Sequence, residues 1–247
     1  MDPGTERSRP APDPDVATPD AGTADRQGRQ VVMFGDGQVA ELAHYYLVND
    51  SPHDVVAFSV DRDRIKSPSF RGLPVVPFED VAVQYPPDRY SMFVAVGYPR
   101  VNKIRQEKYT RAKAMGFELI SYVSSKAIVW PSAEIGDNCL IMEGNIIQPY
   151  ARIGNDVVMW SACHVGHHTV VKDHCFVSAH TVISGNVIVE ENVFFGVNAT
   201  IRNGVTIGRE GVIGAGVVIM KDTAERAVYI APEPRLMAFT SDRLPNL

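Results

Sequence analysis

The chain has few cysteines, no long apolar run and no excess of positive charge, and each lack removes a class of protein. Its 247 residues carry 24 Lys and Arg against 29 Asp and Glu, a net charge of −5. Neither nucleic acid nor an anionic membrane would attract such a surface. The longest apolar stretches run to about five residues, far below the roughly 20 that a bilayer crossing needs. No basic-then-apolar start resembles a secretory leader. The expected partners are therefore small molecules, with no nucleic acid and no membrane, and the expected location is cytoplasmic. The three cysteines (Cys139, Cys163, Cys175) form an odd set without CxxC spacing, a poor start for a zinc or disulfide framework.

What is present falls into distinct stretches. Residues 1–28 contain five prolines and no aromatic residue. Such a segment cannot bury enough apolar surface to offset its ordering entropy, so it is expected to be a disordered tail. Residues 29–124 alternate short apolar runs with helical stretches: VVMFG (31–35), a helix from Gln38 to Val48, VVAFSV (55–60), MFVAVG (92–97), a helix from about Val101 to Met115, and FELISYV (117–123). This is the texture of a small parallel α/β domain, Rossmann-like in outline, whose ligands bind at the carboxyl ends of the strands. Its candidate loops are Gly35–Gln38, Asp61–Asp63 and Gly97–Asn102. GDGQ is not the full dinucleotide fingerprint, which argues against NAD.

From Val129 a strict register takes over. Stepping six residues at a time from Val129 to Ile219 meets an apolar residue at all sixteen positions, without an insertion or deletion. The residue four places later is small or β-branched in most hexads. This is the signature of a parallel β-helix in which three hexads close one 18-residue coil. A β-helix is expected over 125–224, and a capping segment over 225–247 that leaves the last coil after Lys221 and covers its open end, which would otherwise expose strand edges. The three cysteines all fall in the inward, small-residue slot, so packing accounts for them.

Five of the seven histidines lie between His164 and His180, and none takes an inward slot. His168, His174 and His180 share one hexad position, hence three different sides of the helix, and cannot converge on one metal within a chain. Ligation across a subunit boundary, or a polar interface lined by imidazoles, stays open. His167 has Gly185 one coil above it, about 5 Å away. An imidazole beside a bare amide donor suits acyl transfer: the base takes a proton from the attacking group, and the N–H stabilises the oxyanion. With an unperturbed pKa near 6.5, histidine is mostly neutral and basic at neutral pH.

Over residues 31 to about 235 the sequence resembles the left-handed β-helix sugar acyltransferases of the sialic-acid O-acetyltransferase (NeuD) type, a group that includes N-acetyltransferases of nucleotide-linked 4-amino-4,6-dideoxy sugars. The likeness lies in the AVG strand end, KAIVWPSAEIG, and the run GHH…SGNV…FFGVNATIRNGVTIG…IGAGVVIMKD. It implies a left-handed parallel β-helix after a small α/β domain, a homotrimer, and direct transfer of an acetyl group from acetyl-CoA to a nucleotide sugar, with no metal. The family's base falls on His167 and its oxyanion glycine on Gly185. Its acidic partner falls on His168, a departure: either His168 plays another part at the catalytic site, or the orienting acid comes from elsewhere, such as Asp173 or a neighbouring subunit. CoA positions map to Phe176, Gly185, Val197, Ala215 and Lys221, and the nucleotide site to Asp36, Gly37, Gln38, Asp61 and Gly97. The N-acyltransferase reading competes with sugar O-acylation on the same scaffold, with a metal-dependent β-helix hydratase, and with a non-catalytic scaffold.

Overall fold

The computed structural model describes residues 28–234, 236–238 and 243; the tail expected over 1–28 lies outside them apart from Gly28. Strand β1 (Gln30–Phe34), helix α1 (Gln38–Asp50), β2 (Asp54–Val60), β3 (Ser69–Phe70), β4 (Leu73–Pro77), the single turn α2 (Val81–Gln84), β5 (Ser91–Val94) and α3 (Lys103–Ala114) form the first unit. Its sheet runs β3-β4-β2-β1-β5, parallel except for the β3–β4 pair. The β3–β4 hairpin was not expected. Prolines at 74 and 77 mask the strand pattern, and such prolines are tolerated because β4 lies toward the sheet edge. Helix α3 begins at Lys103 rather than Val101, because Arg100, Val101 and Asn102 all adopt positive φ (54°, 53° and 64°).

Beyond Tyr122 the chain winds into two-residue strands, each paired in parallel with the strand 18 residues on. Three sheets result, of six, five and seven strands. The first face carries outward Ile128, Ile146, His164, Val182, Thr200 and Val218; the second carries Glu134, Arg152, Val170, Ile188 and Thr206. The third carries Tyr122, Leu140, Val158, Phe176, Phe194 and Val212. The register apolar residues point inward into one dry core that also holds Cys139, Cys163 and Cys175.

Each edge of this prism turns on one residue in the left-handed region. The third residue after the inward apolar one has positive φ from Asn138 through Gly216, including His168 (58°), His174 (63°) and His180 (58°). That conformation favours Gly, Asn, Asp and His, which accounts for three histidines sharing one hexad position.

The α/β unit packs on the third face, where Leu140, Val158 and Phe176 join Met33, Ala43 and Leu47 in one buried cluster. After Lys221 the chain does not leave at once. The next interval shortens by two residues, and Val228–Tyr229 still pairs with Val212–Ile213; of the capping segment expected over 225–247, residues 235, 239–242 and 244–247 lie outside the described residues. Partly buried Tyr229 packs against the end of the core.

Candidate active site

The edge between the first and second faces is built from 148–150, 166–168, 184–186 and 202–204. Its backbone is held coil to coil: Asn186 N–H donates to His167 O at 2.9 Å, Gly204 N–H to Gly185 O at 3.0 Å, and the His167 N–H to Gln148 Oε1 at 2.9 Å. His167 and Gly185 are brought together here. A methyl group on Gly185 would stand 2.7 Å from His167 Nε2 and 3.0 Å from Asn203 Oδ1. The Gly185 N–H has no hydrogen-bond partner among the described residues. Gly166 beneath it has no side chain, and a Cβ there would come within 2.4 Å of that nitrogen. His168 is placed beside His167, with the two Nδ1 atoms 3.1 Å apart. Its ring lies over that of Tyr150, one coil below, at 4.8 Å between centroids. Gln148 and Tyr150 went unnoticed in the sequence, although a spacing of one coil would have found Tyr150 under His168.

Asp173 is not near this pair. It sits on the edge between the second and third faces, where Oδ1 accepts the Asn155 N–H at 2.7 Å, so it cannot orient His167 within the chain. His174 lies outside the prism core, as its slot in the register requires, yet is only 8% exposed. It is covered by α3, and its Nδ1 meets Asp156 Oδ2 at 2.9 Å. Among the described residues, no group of three or more His, Cys, Asp or Glu could hold a metal ion.

The residues mapped to CoA are divided. Val197 and Ala215 stand one above the other on the third–first edge, and neither backbone N–H has a partner among the described residues. Exposed Lys221 lies on the His167 edge, two coils above Gly185, in a cleft of about 710 Å³ closed on its other side by Tyr229–Pro232. Phe176 is elsewhere again: it is 2% exposed on the third face, against Tyr98 at 4.9 Å and Phe194 at 5.6 Å. Within one chain, the His167 edge and the Val197 edge are separated by the whole width of the first face.

Asp36, Gly37, Gln38, Asp61 and Gly97 all line one cleft of about 860 Å³ at the carboxyl ends of β1, β2 and β5. Gly35 turns the chain there with φ of 122°, and a Cβ would meet Ala95 O at 2.8 Å. Gly37 caps α1, so the open N–H groups of its first turn face the cleft, a ready site for anionic oxygens. Lys108 Nζ pairs with Asp61 Oδ1 at 2.7 Å. A second pocket of about 720 Å³ adjoins it, sharing Gln38, Val39 and Tyr98 and reaching Trp160 on the β-helix.

A buried polar junction fixes this cleft to the prism. Fully buried Arg105 of α3 donates to Gly97 O at 2.8 Å, Asp156 O at 3.0 Å, His174 O at 2.8 Å and Cys175 O at 3.1 Å, and its Nε lies 3.1 Å from Asp156 Oδ1. Asn138 Nδ2 donates to Asp156 Oδ1 at 2.7 Å, while its own Oδ1 accepts the Val94 N–H at 2.7 Å. No sequence signal marked Arg105.

Comparison with known proteins agrees with this architecture. Residues 186–221 match the family "Hexapeptide repeat of succinyl-transferase". A search of curated protein sequences returns no match. Among solved structures, a single-residue mutant of perosamine N-acetyltransferase from Caulobacter crescentus, in complex with CoA and GDP-perosamine, superposes with a TM-score of 0.73 and 27% identity over 82% of this chain and 93% of its own. The acetyltransferase domain of PglB from Neisseria gonorrhoeae, in complex with acetyl coenzyme A, gives a TM-score of 0.73 and 25% identity over 81% and 95%. WeeI from Acinetobacter baumannii shares the fold, with a TM-score of 0.70 at 18% identity over 82% and 97%. An α/β unit set against an unbroken hexapeptide prism, the matched repeat and these likenesses together give the chain the left-handed β-helix fold of hexapeptide-repeat acyltransferases, similar in structure to perosamine N-acetyltransferase and to the acetyltransferase domain of PglB.

Proposed function

We infer that this protein is an acetyl-CoA-dependent N-acetyltransferase acting on a nucleotide-linked amino sugar of the 4-amino-4,6-dideoxy type, by direct transfer. The observation that carries the reading is the His167 imidazole lying over Gly185, whose amide N–H is unengaged. The similar Caulobacter enzyme, whose ligands are CoA and GDP-perosamine, supports the substrate class. In this scheme the nucleotide lies in the cleft of Asp36, Gly37, Gln38, Asp61 and Gly97, its phosphates toward the start of α1. The sugar's neutral amine attacks the thioester carbonyl. His167 Nε2 takes the proton lost by the nitrogen as the C–N bond forms, and the Gly185 N–H donates to the oxyanion. As the C–S bond breaks, His167 returns that proton to the leaving thiolate.

The working unit is a homotrimer. The His167 edge and the Val197–Ala215 edge of one chain lie on either side of the first face, so a second copy is needed to bring one of each together. That face exposes an apolar ladder of Ile128, Ile146, Val182 and Val218, fit for burial against another copy. The test is a screen of nucleotide-linked 4-amino sugars, and their 4-hydroxy counterparts, with acetyl-CoA while free thiol is followed. Amine-dependent thiol release, lost in His167→Ala, is the expected result. Unchanged turnover in His167→Ala removes the reading.

A further inference from the structure

The residue beside the base raises its own chemical problem. Resting on the reading of His167 as the base, we propose that His168 is its positioning residue, a neutral imidazole acceptor standing where a carboxylate would otherwise orient the base.

The argument begins with the 3.1 Å separation of the two Nδ1 atoms. At that distance one nitrogen carries the hydrogen and the other accepts it. Two arrangements are possible. If His168 Nδ1 donates, His167 holds its own proton on Nε2, the atom over Gly185, and is no base toward that side. If His167 Nδ1 donates, its Nε2 keeps a lone pair where Gly185 leaves space. Only the second arrangement does the chemistry. It requires His168 to carry its proton on Nε2 and present a bare Nδ1.

The edge is built to hold His168 in place. Its backbone is left-handed (φ 58°), its N–H donates to Pro149 O at 3.3 Å, and its ring lies over Tyr150. The two imidazoles meet nearly edge to face, at 83°. The groups facing the pair are Gln148 and Tyr150 below, and Gly185 and Asn203 above. None is charged, and Tyr150 alone titrates. Arg202 on the same edge turns its guanidinium to Met220 O. Among the described residues no carboxylate touches either ring, so His168 is the acceptor open to His167 Nδ1–H.

An imidazole acceptor differs from a carboxylate in one measurable way. A carboxylate stays charged and attracts the proton on the base through the neutral range. An imidazole offers a lone pair without a charge. Replacing His168 by Glu therefore moves the acid limb of kcat/KM to higher pH by about one unit, since a negative neighbour favours the protonated base. Replacing it by Phe keeps a ring over Tyr150 but removes the acceptor. Because Tyr150 itself adopts positive φ (63°) on this edge, an aromatic side chain is compatible with the backbone.

The experiment combines activity with nitrogen NMR of the full-length protein labelled at histidine. In the parent, His167 is expected as the Nδ1–H tautomer and His168 as the Nε2–H tautomer above the acid limb. In His168→Phe, His167 loses that preference and the plateau of kcat/KM falls about 10–100-fold, the range for an orienting partner, while thermal stability changes little. His168→Glu recovers most of the plateau, with the acid limb displaced upward. An Nε2–H tautomer at His167 in the parent, or a His168→Phe variant with unaltered tautomer and plateau, overturns the proposal. Full activity in His167→Ala would instead remove the base itself, a separate outcome, since the tautomer signals would still report the pair.

Discussion

Replacing Arg105 by Met tests the junction between the two units. The guanidinium is fully buried, ion-paired to a buried carboxylate, and gives hydrogen bonds to four backbone carbonyls, those of Gly97, Asp156, His174 and Cys175. Met fills much of the volume but returns none of these bonds. Asp156 is left with Asn138 and His174 as its remaining partners. Removing one member of such a pair costs about 3–5 kcal/mol, because the other charge stays buried without compensation. For a chain of this size about 2–4 °C of Tm corresponds to each kcal/mol, so a fall of roughly 6–20 °C is expected. The control is Arg152→Met. Arg152 pairs with Glu134 at 3.4 Å, but the two side chains are 66% and 69% exposed, and such a pair contributes at most about 1 kcal/mol. Thermal and urea unfolding of both variants, side by side, decide the matter. Equal and small shifts would show that the junction contributes no net stability and would refute the reasoning.

Gly185 has no left-handed φ, so Gly185→Ala is compatible with the backbone. Its new methyl displaces the His167 ring, and kcat/KM falls about 100-fold with Tm nearly unchanged, as expected for a misplacement of about 1 Å. Asp50, at the end of α1, accepts from Tyr122 OH at 2.7 Å, Ser124 Oγ at 3.2 Å and the Ser125 N–H at 2.9 Å. The bonds from Ser125 and Tyr122 hold its carboxyl down at about 2. Because the folded value is depressed, the stabilisation is present above the ordinary carboxylate range near 4 and is lost as pH falls toward 2. The Tm gap between the parent and Asp50→Asn therefore closes over that window in a pH series. Burial pushes the thiols of Cys139 and Cys175 up to about 12 and that of Cys163 up to about 11. A disulfide thiol reagent at pH 8 labels none of the three until the protein is unfolded, so thiol release from CoA can be followed without background.

The β-helix was legible because one constraint, an inward side chain every sixth residue, repeats sixteen times. Packing of a narrow prism tolerates no slip in that register. Gly185 over His167 follows from the same arithmetic, and so do the buried cysteines. A second signal went unread: the position three after each inward residue holds Asn, Asp, Gly or His in most hexads, because the edge demands positive φ. It accounts for His168, His174 and His180 more simply than any shared ligand. What stayed hidden depends on how the units dock. His174 carries the same local pattern as His168, yet α3 covers it and leaves His168 open. Arg105 is one basic residue among several on its helix, and only docking turns it inward. The β3–β4 hairpin escaped because Pro74 and Pro77 interrupt the β4 run and its antiparallel partner is only the two residues Ser69–Phe70.

The unbroken 18-residue winding makes position in the chain a direction in space. Excising one hexad between His167 and Gly185 would keep an oily interior but advance everything beyond it by a third of a revolution. Glu191 would then stand over His167, and every downstream contact would be out of phase. Excising a full circuit elsewhere would shorten the column and leave its bearings intact. Such a scaffold gains or loses length in whole turns, like a screw thread, and each intermediate step is silenced by geometry before folding fails.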